Sequence, residues 1–215
     1  MIHSQTAIKI PVGNVEVEGN LTLPSGAIGV VLFAHGSGSS RFSPRNQFVA
    51  KEFNKSKIAT LLFDLLTPEE EEIDLVTAEY RFNIGLLAQR LIGATEWLRN
   101  DPTTKNYKFG YFGASTGAAA ALIAAAKLPD ISAVVSRGGR PDLAAEYLPK
   151  VMAPTLLLVG GWDTEVIELN QQAMDQMVAE KRLEIVPEAT HLFEEPGKLE
   201  VVAKLSAEWF LKYLK

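Results

Sequence analysis

Residues 107–127 read YKFGYFGASTGAAAALIAAAK. The almost continuously apolar run from Tyr107 to Phe112 has the character of a strand covered on both faces. The Ala-rich segment from Thr116 to Lys127 that follows it has helical spacing. The junction contains Gly113-Ala114-Ser115-Thr116-Gly117, a G-x-S-x-G pattern in the strand-turn-helix context that gives the pattern meaning. A turn sharp enough to lift a serine hydroxyl above a sheet crowds the residues two before and two after it, which is why both are glycine. Backbone strain at the serine accompanies such a turn. With 16 Gly in 215 residues, composition alone produces the pattern in roughly one such chain in twenty, so its position counts for more than its presence. Ser115 is the candidate nucleophile.

On either side of this unit the same alternation repeats. Short apolar runs occur at Ile28 to Ala34, Ile58 to Asp64, Ile131 to Ser136, Thr155 to Val159 and Leu183 to Val186. Segments with apolar residues three and four apart lie among them, at Asn46 to Lys55, Phe82 to Arg99, Glu165 to Val178 and Leu199 to Leu214. At the N-terminal end, Thr6 to Val12 and Val15 to Leu23 alternate apolar with polar around Gly13-Asn14 and read as a hairpin. The order predicts one α/β domain over residues 1–215, with an eight-stranded, mostly parallel sheet and helices on both faces. No internal repeat or linker-like stretch divides it. In open sheets of this kind ligands bind outside the carboxyl ends of the strands, so the residues at those ends carry the functional reading.

Composition narrows the chemistry. Hydrophobic residues make up 47% of the chain and charged residues 22%, as in an ordinary globular domain with a sizeable core. The net charge of -5 and a pI near 5.3 have the wrong sign for tracking a phosphate backbone, so nucleic acid is not an expected partner. The absence of Cys excludes disulfides, thiolate metal sites, iron-sulfur clusters and a cysteine nucleophile. The longest nearly pure apolar stretch, Ala118 to Ala126, falls well short of the roughly 20 residues that cross a bilayer. The first ten residues lack the basic region and continuous apolar run of a signal peptide, so the expected location is the cytoplasm, without membrane attachment. The run Glu69-Glu70-Glu71-Glu72-Ile73-Asp74 does not resemble a calcium loop and reads as a solvated loop or helix start. No cofactor or metal is called for.

A serine hydroxyl needs a base to take its proton, usually a neutral imidazole. The chain offers His3, His35 and His191. His3 lies near the terminus and reads as solvated. His35 ends the third strand ahead of Gly36-Ser37-Gly38 and reads as a shaper of that loop, with substrate contact the weaker alternative. His191, just after the last strand, is the base. Asp163 follows the seventh strand and its Gly160-Gly161-Trp162, and is the acid that orients the imidazole, ahead of Asp64, Asp142 and Glu165. The chain order is then Ser, Asp, His.

Attack on an acyl carbon generates an oxyanion, whose donors are worth about 3 to 4 kcal/mol each. The Thr116 N–H, at a helix start, is one expected donor. The second is the Ser37 N–H, with Gly38 next in order. The loop they occupy lacks the Lys and spacing of a phosphate-binding P-loop. Arg41, Arg45, Arg137 and Arg140 fall in loops expected at the same edge. They either meet a substrate carboxylate or phosphate, or pair with protein acids such as Asp142 and the acidic run, or face water. Pairing or solvation is the stronger reading.

Taken together, His35-Gly36-Ser37-Gly38-Ser39-Ser40, Gly113-Ala114-Ser115-Thr116-Gly117, Gly160-Gly161-Trp162-Asp163 and Ala189-Thr190-His191-Leu192-Phe193 resemble an α/β-hydrolase of the dienelactone hydrolase-like group over nearly the whole chain. The chain is also similar to the small hydrolase domains found fused to phosphoribosyltransferases. Dienelactone hydrolases themselves carry a cysteine where this chain has Ser115, so the resemblance implies serine esterase chemistry more than any particular substrate. The family's usual cap would fall between the sixth and seventh strands, where only a short helix, Leu143 to Leu148, is expected, so the site should be open. The sequence therefore predicts a hydrolase of small carboxylic esters working through an acyl-enzyme. Lactone or thioester hydrolysis, acyl transfer or peptidase action, and a catalytically silent binding module on the same fold are the alternatives.

Overall fold

The structure is a computed structural model that describes residues 5–215, so His3 lies outside the described residues. Eight strands form one sheet, in the order β1 (Gln5–Val12), β2 (Val15–Thr22), β4 (Ala59–Phe63), β3 (Gly29–Ala34), β5 (Lys108–Ala114), β6 (Ala133–Arg137), β7 (Thr155–Gly160), β8 (Lys181–Val186). The β1–β2 hairpin turns at Gly13, whose φ of +63° suits glycine, and puts Val12 opposite Val15. β2 pairs antiparallel with β4, and every pairing from β4 through β8 is parallel.

Alternation along the central strands divides the core in two. Val30, Leu32 and Ala34 of β3 point to the face covered by α3 (Ile84–Asn100), α4 (Thr116–Lys127) and α5 (Thr164–Gln176), against Leu87, Leu91, Ala120 and Ala173. Val31 and Phe33 point to the opposite face, where α1 (Pro44–Lys55) and α6 (Lys198–Tyr213) deliver Val49, Phe53 and Phe210. Rings of Phe33, Phe53, Phe112 and Phe210 meet there with centroids 4.9 to 5.8 Å apart. The predicted α/β-hydrolase architecture is therefore present, with helices on both faces.

The interval between β6 and β7 holds only a 3-10 segment, Pro141–Lys150, and no cap domain. The acidic run opens α2 (Pro68–Thr77): Thr67 and Glu70 form a reciprocal capping box, and Glu69, Glu70 and Glu71 occupy the first turn, where the helix dipole favours negative charge. Two boundaries differ from the sequence reading, and they matter. β5 runs on to Ala114, and β6 runs on to Arg137, because Ala114 pairs with Arg137 and the Ser115 N–H then donates to the Arg137 carbonyl at 3.2 Å. Arg137 is thus the last residue of a central strand and is buried, not a loop residue. No helix among the described residues is long and apolar enough to cross a membrane.

Candidate active site

Ser115 sits between β5 and α4 with φ +50° and ψ −121°, a strained conformation for any residue with a side chain. Its neighbours show why the turn demands glycine. A Cβ on Gly113 would lie 2.4 Å from the Ala118 Cα, and one on Gly117 would lie 2.2 Å from the Ala34 carbonyl oxygen and 2.4 Å from that of His35. These obstacles are all backbone, so no side-chain rotation relieves them. Ser115 holds the N-cap position of α4 yet makes no side-chain cap bond, which leaves its hydroxyl free for other work.

Asp163 and His191 come together from the ends of β7 and β8. The His191 Nδ1–H donates to Asp163 Oδ2 at 2.6 Å, a charge-assisted bond that fixes the ring and leaves Nε2 without its proton. Asp163 stands at the N-cap of α5, where an Asp ordinarily bonds the helix amides, and it makes no such bond. Its carboxylate serves the imidazole instead. The loop carrying His191 is held by Phe193, which is buried on the α1/α6 face at φ +56°, and by the Trp162 N–H, which donates to the Ala189 carbonyl at 3.0 Å.

Ser115 Oγ makes no hydrogen bond to His191 in the structure, and such catalytic bonds are commonly long until substrate arrives. The two residues nonetheless meet across one short segment. Arg137 holds the Ser115 N–H, the Arg140 N–H donates to the Ser115 carbonyl at 3.2 Å, and a Cβ on Gly138 would lie 3.4 Å from both Cε1 and Nδ1 of His191. Gly138, at φ +52°, lets the strand end pass directly beneath the imidazole. The sequence reading missed its role, and that of Gly160, since neither glycine belongs to the nucleophile pattern.

At the other side of Ser115, a Cβ on Gly36 would lie 3.1 Å from the serine Cβ, so the loop after β3 closes on Ser115. The Thr116 N–H, at the first position of α4, has no acceptor among the described residues, as suits an oxyanion donor. The Ser37 N–H, expected as the second donor, is committed here to Thr116 Oγ1 at 3.1 Å, and the two hydroxyls are 3.0 Å apart. Gly38 follows at φ +64°.

His35 uses both ring nitrogens on the backbone. Nδ1–H donates to the Gly36 carbonyl at 3.0 Å and Nε2 accepts the Leu65 N–H at 3.0 Å, so the weak expectation of substrate contact is corrected in favour of loop shaping. Burial pushes the imidazole below its ordinary pKa, which keeps it neutral, as the Leu65 bond requires. Arg41 is likewise withdrawn from the substrate list: its guanidinium pairs with Asp64 and Glu18, and its N–H donates to Asp64 at 2.7 Å. Arg140 forks onto Asp142 at 2.8 and 2.7 Å. Arg137 alone among these three has no such partner.

The sequence profile described as the Dienelactone hydrolase family matches residues 50–213. The chain belongs to the dienelactone hydrolase family. Within that family's fold it is similar to the dienelactone hydrolase from Anabaena variabilis ATCC 29413, at 59% identity, with 99% of each chain covered and a TM-score of 0.98. It is 55% identical over 208 residues to putative phosphoribosyl transferases of Mycobacterium tuberculosis, a match covering 96% of this chain and 46% of theirs. The chain thus spans about half the length of those relatives. An α/β serine hydrolase without lid from Xanthomonas campestris shares the fold at 18% identity, with 100% and 97% of the chains covered and a TM-score of 0.77. Membership in the dienelactone hydrolase family makes the chain an α/β-hydrolase by descent as well as by architecture.

Proposed function

We propose that the protein is a serine hydrolase that cleaves small carboxylic esters. Ser115 Oγ attacks the carbonyl carbon while His191 Nε2 takes its proton. The alcohol leaves with that proton, and water, deprotonated by the same nitrogen, releases the acid from the acyl-enzyme. Asp163 keeps the imidazole in the tautomer that can do this. The Thr116 N–H stabilises the oxyanion, joined by the Ser37 N–H once the substrate oxygen replaces Thr116 Oγ1 as its acceptor.

The observation that carries the reading is the strained Ser115, free of any cap bond, with its N–H on Arg137 while the following Gly138 packs against an imidazole bonded to Asp163 at 2.6 Å. The lack of a cap and the exposed Trp162 and Leu192 beside Asp163 and His191 support a small, accessible acyl group. Lactone hydrolysis is the second reading, supported by the name of the Anabaena relative, and a lactone is a cyclic ester open to the same attack. A substrate panel separates the two.

The test is labelling with a fluorophosphonate followed by peptide mass spectrometry. The expected adduct lies on Ser115 and is lost in His191→Ala. A folded protein that takes no label supports the silent binding module instead, and a hydrolysis rate that does not change between about pH 5 and 8 counts against an imidazole base.

A further inference from the structure

Arg137 plays no part in the reaction just described, yet its side chain is only 7% exposed. By strand alternation it projects to the α1/α6 face with Ala133 and Val135, on the side where Phe193 anchors the His191 loop. Its Nε and Nη1 are buried without a hydrogen-bond partner among the described residues. Every other arginine of the described residues meets a carboxylate. Arg90 is the telling comparison: it is 6% exposed, and it reaches Glu70 at 2.5 Å. Burial of a guanidinium in this fold is elsewhere matched by an acid, as the cost of desolvating a charge demands.

The charge of Arg45 worsens the imbalance. Burial, and then the positive charge of Arg45, push Arg137 down to about 10. Arg45 stands at the second position of α1, where Pro44 has no N–H to offer and the Asn46 N–H is already taken by the Ser43 hydroxyl. The Arg45 Nε is also buried and unpartnered, while its Nη1 bonds Glu194 at 3.1 Å. Glu194, 60% exposed, is the only acid on either arginine among the described residues. Two guanidinium groups therefore feel each other's charge with one solvent-facing carboxylate, on Arg45, and Arg137 projects from the strand end whose carbonyl holds the Ser115 N–H.

The geometry points to an oxyanion site, formed by Arg137 and Arg45, that takes a phosphoryl group carried by the ester substrate. A carboxylate is satisfied by one guanidinium edge, whereas the three oxygens of a phosphoryl group can use both arginines together. Glu194 is the placeholder on Arg45 that the entering anion displaces. That the phosphoryl group belongs to the substrate rests on the ester-hydrolase reading; that a phosphoryl group binds does not.

Inorganic phosphate is the probe, followed by calorimetric titration and by melting temperature against chloride and acetate at matched ionic strength, on the Ser115→Ala protein so that hydrolysis is irrelevant. Phosphate should bind and raise the melting temperature where chloride and acetate do not. Adding Arg137→Met should weaken phosphate binding about ten- to a hundredfold, the range for lost charge-assisted bonds. The same change should leave the phosphate-free protein as stable as before or more so, because it removes an unpaired buried charge. Glu194→Gln should tighten binding several-fold by removing the competitor, and it tests the site even if the Arg137 variant fails to fold. In the active enzyme, the ratio of kcat/KM for a phosphorylated ester to that for its neutral counterpart should fall by the same factor in Arg137→Met. Absence of phosphate binding, equal binding of acetate, or a folded Arg137→Met protein that binds phosphate normally or melts well below its parent would each overturn the proposal. Ser115 labelling without phosphate binding sinks this site alone, and phosphate binding without labelling sinks the hydrolase reading alone.

Discussion

Gly160 at the end of β7 lies so close to Thr190 that a Cβ on the glycine would sit 2.5 Å from the Thr190 carbonyl oxygen, and 2.4 Å from that of Ala189. The loop that carries the imidazole rests directly on the strand that leads to Asp163, and the 2.6 Å bond between His191 and Asp163 depends on that approach. Gly160→Ala must push the two loops apart, since both obstacles are backbone. Steady-state kinetics on a small neutral ester should show kcat/KM lower by about a hundredfold, the scale for a misplacement near 1 Å. Gly161→Ala, whose Cβ would meet nothing nearer than 3.2 Å, is the milder control. Equal activity in the two variants would show that the approach is not needed for catalysis.

Asp163 is free of structural duty at the head of α5. Asp163→Asn should lower kcat by about 10³ to 10⁴, because the amide no longer selects the productive tautomer or stabilises the imidazolium. Stability should change by no more than about 0.5 kcal/mol, since the Asp163 side chain makes no cap bond to lose. Urea denaturation beside kinetics tests both halves. A loss of activity accompanied by a matching loss of stability would assign Asp163 to the fold and not to the reaction.

His35 makes stability depend on pH in one direction. Its folded form is held neutral below the ordinary imidazole value, chiefly by burial, so between the folded and unfolded values the unfolded chain binds the extra proton. The stabilisation is whole above about pH 6.5 and declines as the pH falls below it. Protonating Nε2 would also break the bond from the Leu65 N–H. Unfolding free energy measured from pH 7.5 to 5.5 should fall more steeply in the parent than in His35→Gln. Parallel slopes would refute the assignment.

Arg140 contributes its backbone more than its charge. The guanidinium is occupied by Asp142, while the N–H supports the Ser115 carbonyl and survives any side-chain change. Arg140→Ala should alter kcat/KM by less than about threefold and stability by at most about 1 kcal/mol, as for partly exposed ion pairs. A tenfold rise in KM for an anionic ester in this variant would return Arg140 to the substrate site.

The strands and helices were legible because their signals are local. The run from Ile28 to Ala34 is apolar throughout and is buried throughout from Gly29 to Ala34, as a doubly covered strand should be. Gly113 and Gly117 announced the serine turn, and the structure meets the steric demand that the pattern implied. Strand ends and chain order pick out His191 and Asp163, which the structure joins by a hydrogen bond, and Asp142 is the acid that pairs with Arg140. What local sequence does not explain is why Gly138 and Gly160 must be glycine, since the need comes from the His191 loop, 53 and 30 residues further on. The end of β6 was also misplaced, because Arg137 is polar and hydropathy closes the strand before it.

Residue order by itself determined the alternation of strand and helix, the serine turn between β5 and α4, and which strand ends deliver an imidazole and a carboxylate. These follow from periodicity, turn stereochemistry and side-chain identity over a few neighbouring residues. Only the tertiary structure decided which charges are neutralised: Arg41, Arg140 and Arg137 are alike as letters, yet two are matched by acids and the third is enclosed without one. Pairing depends on distances between segments remote in the chain and on the water that packing removes, and neither quantity is written in local sequence.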